Sequence, residues 1–122
     1  MITKTRLASS LFVLFGASAC TFYARGPEDY RKDTRALLET RSGQITTCYN
    51  TAKAADPKAA GTVVVHFQVA KDTGAITDPA VLPESTAPAP LGQCIVDAIK
   101  DLKLDPSDKR LGDATFVWEF KG

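Results

Sequence analysis

Three cysteines, Cys20, Cys48 and Cys94, and a single histidine, His66, are the side chains of this 122-residue sequence best suited to covalent, metal or proton-transfer chemistry. Structural zinc takes four Cys or His ligands in closely spaced pairs, and two cysteines with one distant histidine do not make that set. Group-transfer catalysis by His66 would require a nucleophile and an orienting group beside it. Thr115 and Glu119, the polar side chains expected near it, form no such set. Asp72, Asp78, Asp105, Asp108 and Asp113 fall in predicted turns, where Asp serves backbone hydrogen bonding. The DPSDKRLGD stretch lacks the ligand spacing of a calcium loop, so no metal or other cofactor is expected. What remains is thiol chemistry, and its form depends on the compartment.

The N-terminus bears on the compartment. Lys4 and Arg6 precede an apolar run, Leu7 to Phe15, that passes through Gly16-Ala17-Ser18-Ala19 to Cys20. A positive start, a short apolar run and a small-residue end are the parts of a secretory signal peptide. The run falls short of the about 20 residues that a membrane-spanning helix needs. Ala17-Ser18-Ala19-Cys20 resembles the lipobox of bacterial lipoproteins, in which the cysteine is lipidated and becomes the first residue of the mature chain. The resemblance implies a signal peptide over 1–19 and lipid attachment at Cys20. Thr21 stands where enterobacterial lipoproteins kept at the inner membrane have Asp, so the expected location is the periplasmic side of the outer membrane. A plain signal peptide cut after Ala19 would leave Cys20 as an odd free thiol. In an oxidising periplasm Cys48 and Cys94 are expected to form a disulfide. Two buried thiols acting as small hydrophobes are the competing reading.

Removing the leader takes two of the 15 basic residues and leaves the side chains slightly acidic, 14 carboxylates against 13 cations. A nucleic-acid surface needs a basic excess and a basic stripe, and neither is present. Residues 20–28 read as a short tether broken by Gly26-Pro27, and 29–122 as one small domain. From Asp29 apolar residues recur at helical steps through Leu37, Leu38, Ile45, Cys48 and Tyr49. This predicts one long helix or two in line, with Ser42 able to cap the second. GTVVVHFQVA alternates as a strand, with Val63, Val65, Phe67 and Val69 inward and Val64 and His66 outward. KDTG is a turn with Gly74 free to take positive φ. AITDPAVL is a second strand that Pro79 confines to an edge or a bulge. Leu91, Cys94, Ile95, Ala98, Ile99 and Leu102 form a helical stripe. ATFVWEF closes the chain as a strand with Thr115, Val117 and Glu119 outward. The order α-β-β-α-β, each strand apolar on one face, predicts an α+β fold with a small antiparallel sheet covered by helices on one side.

The stretches CYNTAKAADPKAAGTVVVHFQVAKDTGAITDPAVLPEST, LGQCIVDAIKDLKLDP and TFVWEF are similar to the AgmX/PglI C-terminal domain, itself similar to the C-terminal domain of TonB. The likeness rests on Cys48-Tyr49, Gly61, Gly74, Ser85-Thr86, Cys94-Ile95 and Pro106, and spans about residues 42–122. It implies a TonB-like fold and a non-catalytic binding or scaffold role toward an envelope protein. An anchor followed almost at once by the domain is too short to reach across the periplasm for energy transduction. The expected binding surface is Val64, His66, Thr115, Val117 and Glu119, presented on the open face or at a strand edge. A periplasmic hydrolase with an unrecognised site is the alternative.

Mass spectrometry of the mature protein is expected to show an acylated N-terminal Cys20. Buried acyl methylenes contribute about 0.8 kcal/mol each to membrane attachment. Cys20→Ala should therefore move exported protein from the membrane fraction to the soluble one; a mature N-terminus elsewhere overturns the assignment.

Overall fold

The computed structural model describes residues 24–121. Cys20 and the expected signal peptide over 1–19 lie outside them. Three helices and three strands follow in the order α1 (Pro27–Glu39), α2 (Ser42–Ala55), β1 (Gly61–Val69), β2 (Ile76–Val81), α3 (Ala89–Ile99) and β3 (Gly112–Phe120). This is the expected α+β architecture with the first helical region divided in two.

The division falls at Thr40-Arg41. The Thr40 N–H turns to the Leu37 carbonyl and the Arg41 N–H to that of Leu38, tighter bonds of the kind that close a helix. Ser42 does not cap α2, as expected from its type, but is its first residue. Arg41 holds the cap position, and no side chain caps the helix. Proline opens α1 at its first position, where its missing N–H costs nothing.

The sheet runs β2-β1-β3, antiparallel at both pairings. β1 is therefore central. Val63, Val65, Phe67 and Val69 on its inner face are all essentially inaccessible, and Leu91, Ile95 and Ile99 of α3 join them in the core. Gly92 makes the close approach possible: a Cβ there would come within 3.0 Å of the Val81 side chain. Gly74 adopts φ 74°, and an added Cβ would meet the Leu104 carbonyl. The turn thus needs glycine both for its backbone conformation and for space. Pro79 sits in an edge strand as expected, and the β1–β2 register also shifts between His66 and Gln68.

Helix α2 packs on α3. Cys48 and Cys94 are disulfide-bonded, with Cα atoms 5.8 Å apart and a sequence separation of 46. Tyr49, next to the bridge, stacks on Phe120 and donates its hydroxyl to the Lys121 carbonyl, so the same turn of α2 also secures the end of β3. Trp118 faces the helices and packs against the core, as its place in the strand alternation predicts.

A loop of this length closed by a disulfide is worth about 4 kcal/mol in the chain-entropy model. Cys48→Ala with Cys94→Ala, or reduction, should lower the midpoint of urea unfolding by a corresponding amount while the far-ultraviolet circular dichroism of the folded state is retained. An unchanged midpoint would show that the bridge contributes nothing to stability.

Candidate functional site

Sheet chemistry allows the free edges to be assigned atom by atom. The Thr62 and Val64 carbonyls accept from Thr86, Ala87 and Leu82, and their N–H groups donate to the Thr86 and Ser85 hydroxyls. The even-numbered residues of β1 thus turn their backbone groups toward the β2 side. In an antiparallel ladder alternate residues bond to opposite neighbours, so the odd-numbered residues of β1 bond to β3. Through the register Val63↔Trp118, Val65↔Phe116 and Phe67↔Ala114, the even-numbered residues of β3 are the ones that pair. Asp113, Thr115, Val117 and Glu119 therefore direct both N–H and C=O away from the sheet. Among the described residues none of these groups has a hydrogen-bond partner. Their side chains are exposed, Val117 to 60%.

The other edge is poorer. β2 is six residues long, contains Pro79, and holds Asp78 at φ 52°. β3 pairs with β1 in unbroken register along its nine residues.

The expected surface residues divide. Thr115, Val117 and Glu119 are exposed on β3, with Val64 opposite Val117 and His66 opposite Thr115. Val64 itself is only 8% exposed, which corrects its place in the binding surface. The 82–87 segment returns alongside β1, tied to Val64 at Leu82 and Ser85, and little of Val64 is left for a partner. His66 is partly exposed, with Nε2 2.7 Å from the Asp113 carboxylate. Asp113, assigned to a turn from its sequence, is instead the second residue of β3. The alternation that put Thr115 on the open face would have put Asp113 there too had the strand been extended two residues. Cys48 and Cys94 carry the bridge, and Cys20 lies outside the described residues. Among these residues no group of His, Cys, Asp and Glu could hold a metal ion, and no helix is long and apolar enough to cross a membrane.

Beside the first half of β3 lies an open groove of about 730 Å³ walled by α1. The Tyr30 hydroxyl donates to the Arg110 carbonyl, and the Arg35 guanidinium lies 5.4 Å from the centre of the Phe116 ring. These two contacts set α1 along the strand. A Cβ at Gly112 would strike the Tyr30 ring at 2.7 Å, so glycine there admits the helix. Arg31 and Arg35 are exposed and line the groove with Arg110. Sequence reasoning missed them because surface arginines carry no periodic signal.

The helix is held in place by a buried ionic cluster just before it. Arg25 (3% exposed) lies in the stretch read as a tether, yet it is packed against Asp108 (1% exposed). Its backbone N–H donates to Asp108 Oδ2 at 2.7 Å, its Nε to Asp33 at 2.6 Å and its Nη2 to the Pro106 carbonyl at 2.7 Å. The Arg110 N–H adds a bond of 3.0 Å to Asp108 Oδ1, the turn role expected of this residue. Burial alone would raise the Asp108 carboxyl. The N–H bonds from Arg25 and Arg110, and then the charges of Arg110 and Arg25, outweigh it and hold the group below its ordinary value of 3.8. The Tyr30 phenol is pushed up, first by burial and then by the Asp108 carboxylate.

Compared with protein-family models, curated proteins and solved structures, the chain gives no significant match in any of the three.

A carboxyl whose folded pKa lies below its unfolded one stabilises the fold above the unfolded value, and that contribution is lost as pH falls through the folded value. Stability should therefore decline below about pH 4 as Asp108 takes up a proton. Asp108→Asn should flatten this part of the acid limb and lower stability near neutrality, because Arg25 then lacks its buried counter-charge. Urea unfolding across that pH range checks both; an acid limb unchanged in the variant overturns the assignment.

Proposed function

We propose that the protein is a lipid-anchored, non-catalytic binding module of the bacterial cell envelope, TonB-like in fold and related to AgmX/PglI C-terminal domains, that captures an envelope protein by adding a strand to β3. The observation that carries this reading is the run of unpaired N–H and C=O groups at Asp113, Thr115, Val117 and Glu119. Unpaired strand edges are templates for another chain, and proteins ordinarily blunt them. Here β2 is blunted by Pro79 and β3 is not. Strand addition gains affinity from main-chain bonds and selectivity from alternate side chains, and the exposed Thr115 and Val117 supply that second element. The open face is the poorer surface for a partner, since Val64 is covered. The leader and Cys20 support the envelope location through their resemblance to a lipobox.

Because the Val117 N–H points outward, proline at 117 removes an edge donor without breaking the β1–β3 ladder, a position strands tolerate. Val117→Pro should abolish capture of the partner from envelope fractions while circular dichroism shows the fold retained. A charge placed on the other edge strand, Ala80→Asp, should leave capture intact. Capture that survives disruption of both edges and is lost on His66→Ala would assign binding to the open face instead.

A further inference from the structure

The groove beside β3 sets a chemical requirement on what the edge accepts. Resting on the strand-addition reading, we infer that the β3 edge selects an extended peptide with carboxylate side chains at alternate positions, read by Arg31 and Arg35 of α1. A strand added to β3 alternates its side chains between the two faces of the sheet. Residues opposite Thr115 and Val117 share their open face. Residues opposite Ala114 and Phe116 point into the groove, which Arg31, Arg35 and Arg110 line together with Ala114 and Phe116.

The spacings agree. Four residues along a helix advance about 6 Å, and alternate residues of a strand are about 6.7 Å apart. Arg31 and Arg35 therefore stand opposite successive groove-facing side chains of the incoming strand. Neither arginine forms an ion pair among the described residues, and the contact assigned to Arg35 there is with the Phe116 ring. Asp113 is the single acidic residue among those lining the groove, and its carboxylate turns to the other face, where His66 engages it. The groove thus presents a cationic wall beside unpaired backbone donors and acceptors. Planar guanidinium groups suit bidentate capture of carboxylates. On the other face the residue next to Val117 would be apolar, matching that exposed side chain across the strands.

The test uses the full chain and a fluorescent, end-capped peptide of alternating glutamate and valine, with three comparison peptides. One replaces glutamate by glutamine, one replaces it by lysine, and one is N-methylated at the valine amides that would face β3. The glutamate peptide should bind about tenfold more tightly than the glutamine one, the effect of two exposed ion pairs, and the lysine and N-methylated peptides should not bind. Arg31→Gln with Arg35→Gln should erase the preference for glutamate, so that the glutamate and glutamine peptides bind alike, and Arg31→Lys with Arg35→Lys should restore part of it. Equal binding of glutamate and glutamine peptides overturns the selectivity and spares the edge. Binding of the N-methylated peptide as tight as its parent overturns the edge reading itself. Failure of every peptide, with arginine-dependent attachment to phosphatidylglycerol vesicles, would assign the arginines to a lipid surface and overturn the proposal.

Discussion

Four side chains of β1, those of Val63, Val65, Phe67 and Val69, leave the central strand on one face, and covering them is the constraint on which the rest of the domain depends. Three strands cannot curl into a closed layer, so helices must supply the cover. Helix α3 does so directly, with Leu91, Ile95 and Ile99 against the sheet and Gly92 letting it approach Val81. Truncating one such buried aliphatic or aromatic residue costs roughly 2–5 kcal/mol, against a net stability of about 5–15 kcal/mol for a whole domain. Helix α2 lies in a second position, on α3. A disulfide worth about 4 kcal/mol is a large share of such a margin, which explains why a helix with a weak apolar stripe of its own can be held there. Its Tyr49 then carries that constraint to the last residues of β3.

Helix α1 depends on a different interaction. A carboxylate as enclosed as Asp108 is tolerated only when its lone pairs are met and its charge is balanced. Arg25 does both, with a backbone N–H and a guanidinium. Because Arg25 lies two residues before α1 begins, satisfying Asp108 also decides where the helix starts, and Tyr30 then falls on Gly112. The groove and its arginine wall are consequences of that buried pair. Tyr30 on the Arg110 carbonyl and Arg35 on the Phe116 ring then complete the seating of the helix.

Strand and helix identities were readable from the sequence because burial on one face writes a period of two into β1 and β3 and a period near 3.6 into α3. The cysteine pairing was readable because Cys48 and Cys94 are the two left once Cys20 is assigned to the end of the leader, and an export signal favours a bridge. Strand order was not, since period alone does not say which neighbour a strand takes. The burial of Val64 was also invisible. It accompanies the return of the 82–87 segment alongside β1, where the Ser85 and Thr86 hydroxyls take the Val64 and Thr62 N–H groups, contacts between residues 21 and 24 apart. Arg25 was hidden for the same reason: its importance lies in Asp108, 83 residues away, and local composition there reads as a tether. Long-range polar pairs leave no periodic trace, and the walls of the candidate site are made of them.

A free, regular edge nine residues long invites self-association, and the charges on β3 bear on that hazard. In two copies paired antiparallel about Phe116, the register that matches all four outward residues, Asp113 of each copy stands opposite Glu119 of the other. Like charges directly opposite are destabilising, and shifting the register to separate them gives up edge pairing. The same two carboxylates would act on the acidic strand proposed above. They lie on the open face, whereas Arg31 and Arg35 line the other. A one-residue slip moves every side chain of the incoming strand to the opposite face, carrying its carboxylates from the arginines to the side of Asp113 and Glu119. Attraction on one face and repulsion on the other would thus favour a single register, and the charge pattern that discourages a second copy is the one that would orient an acidic strand.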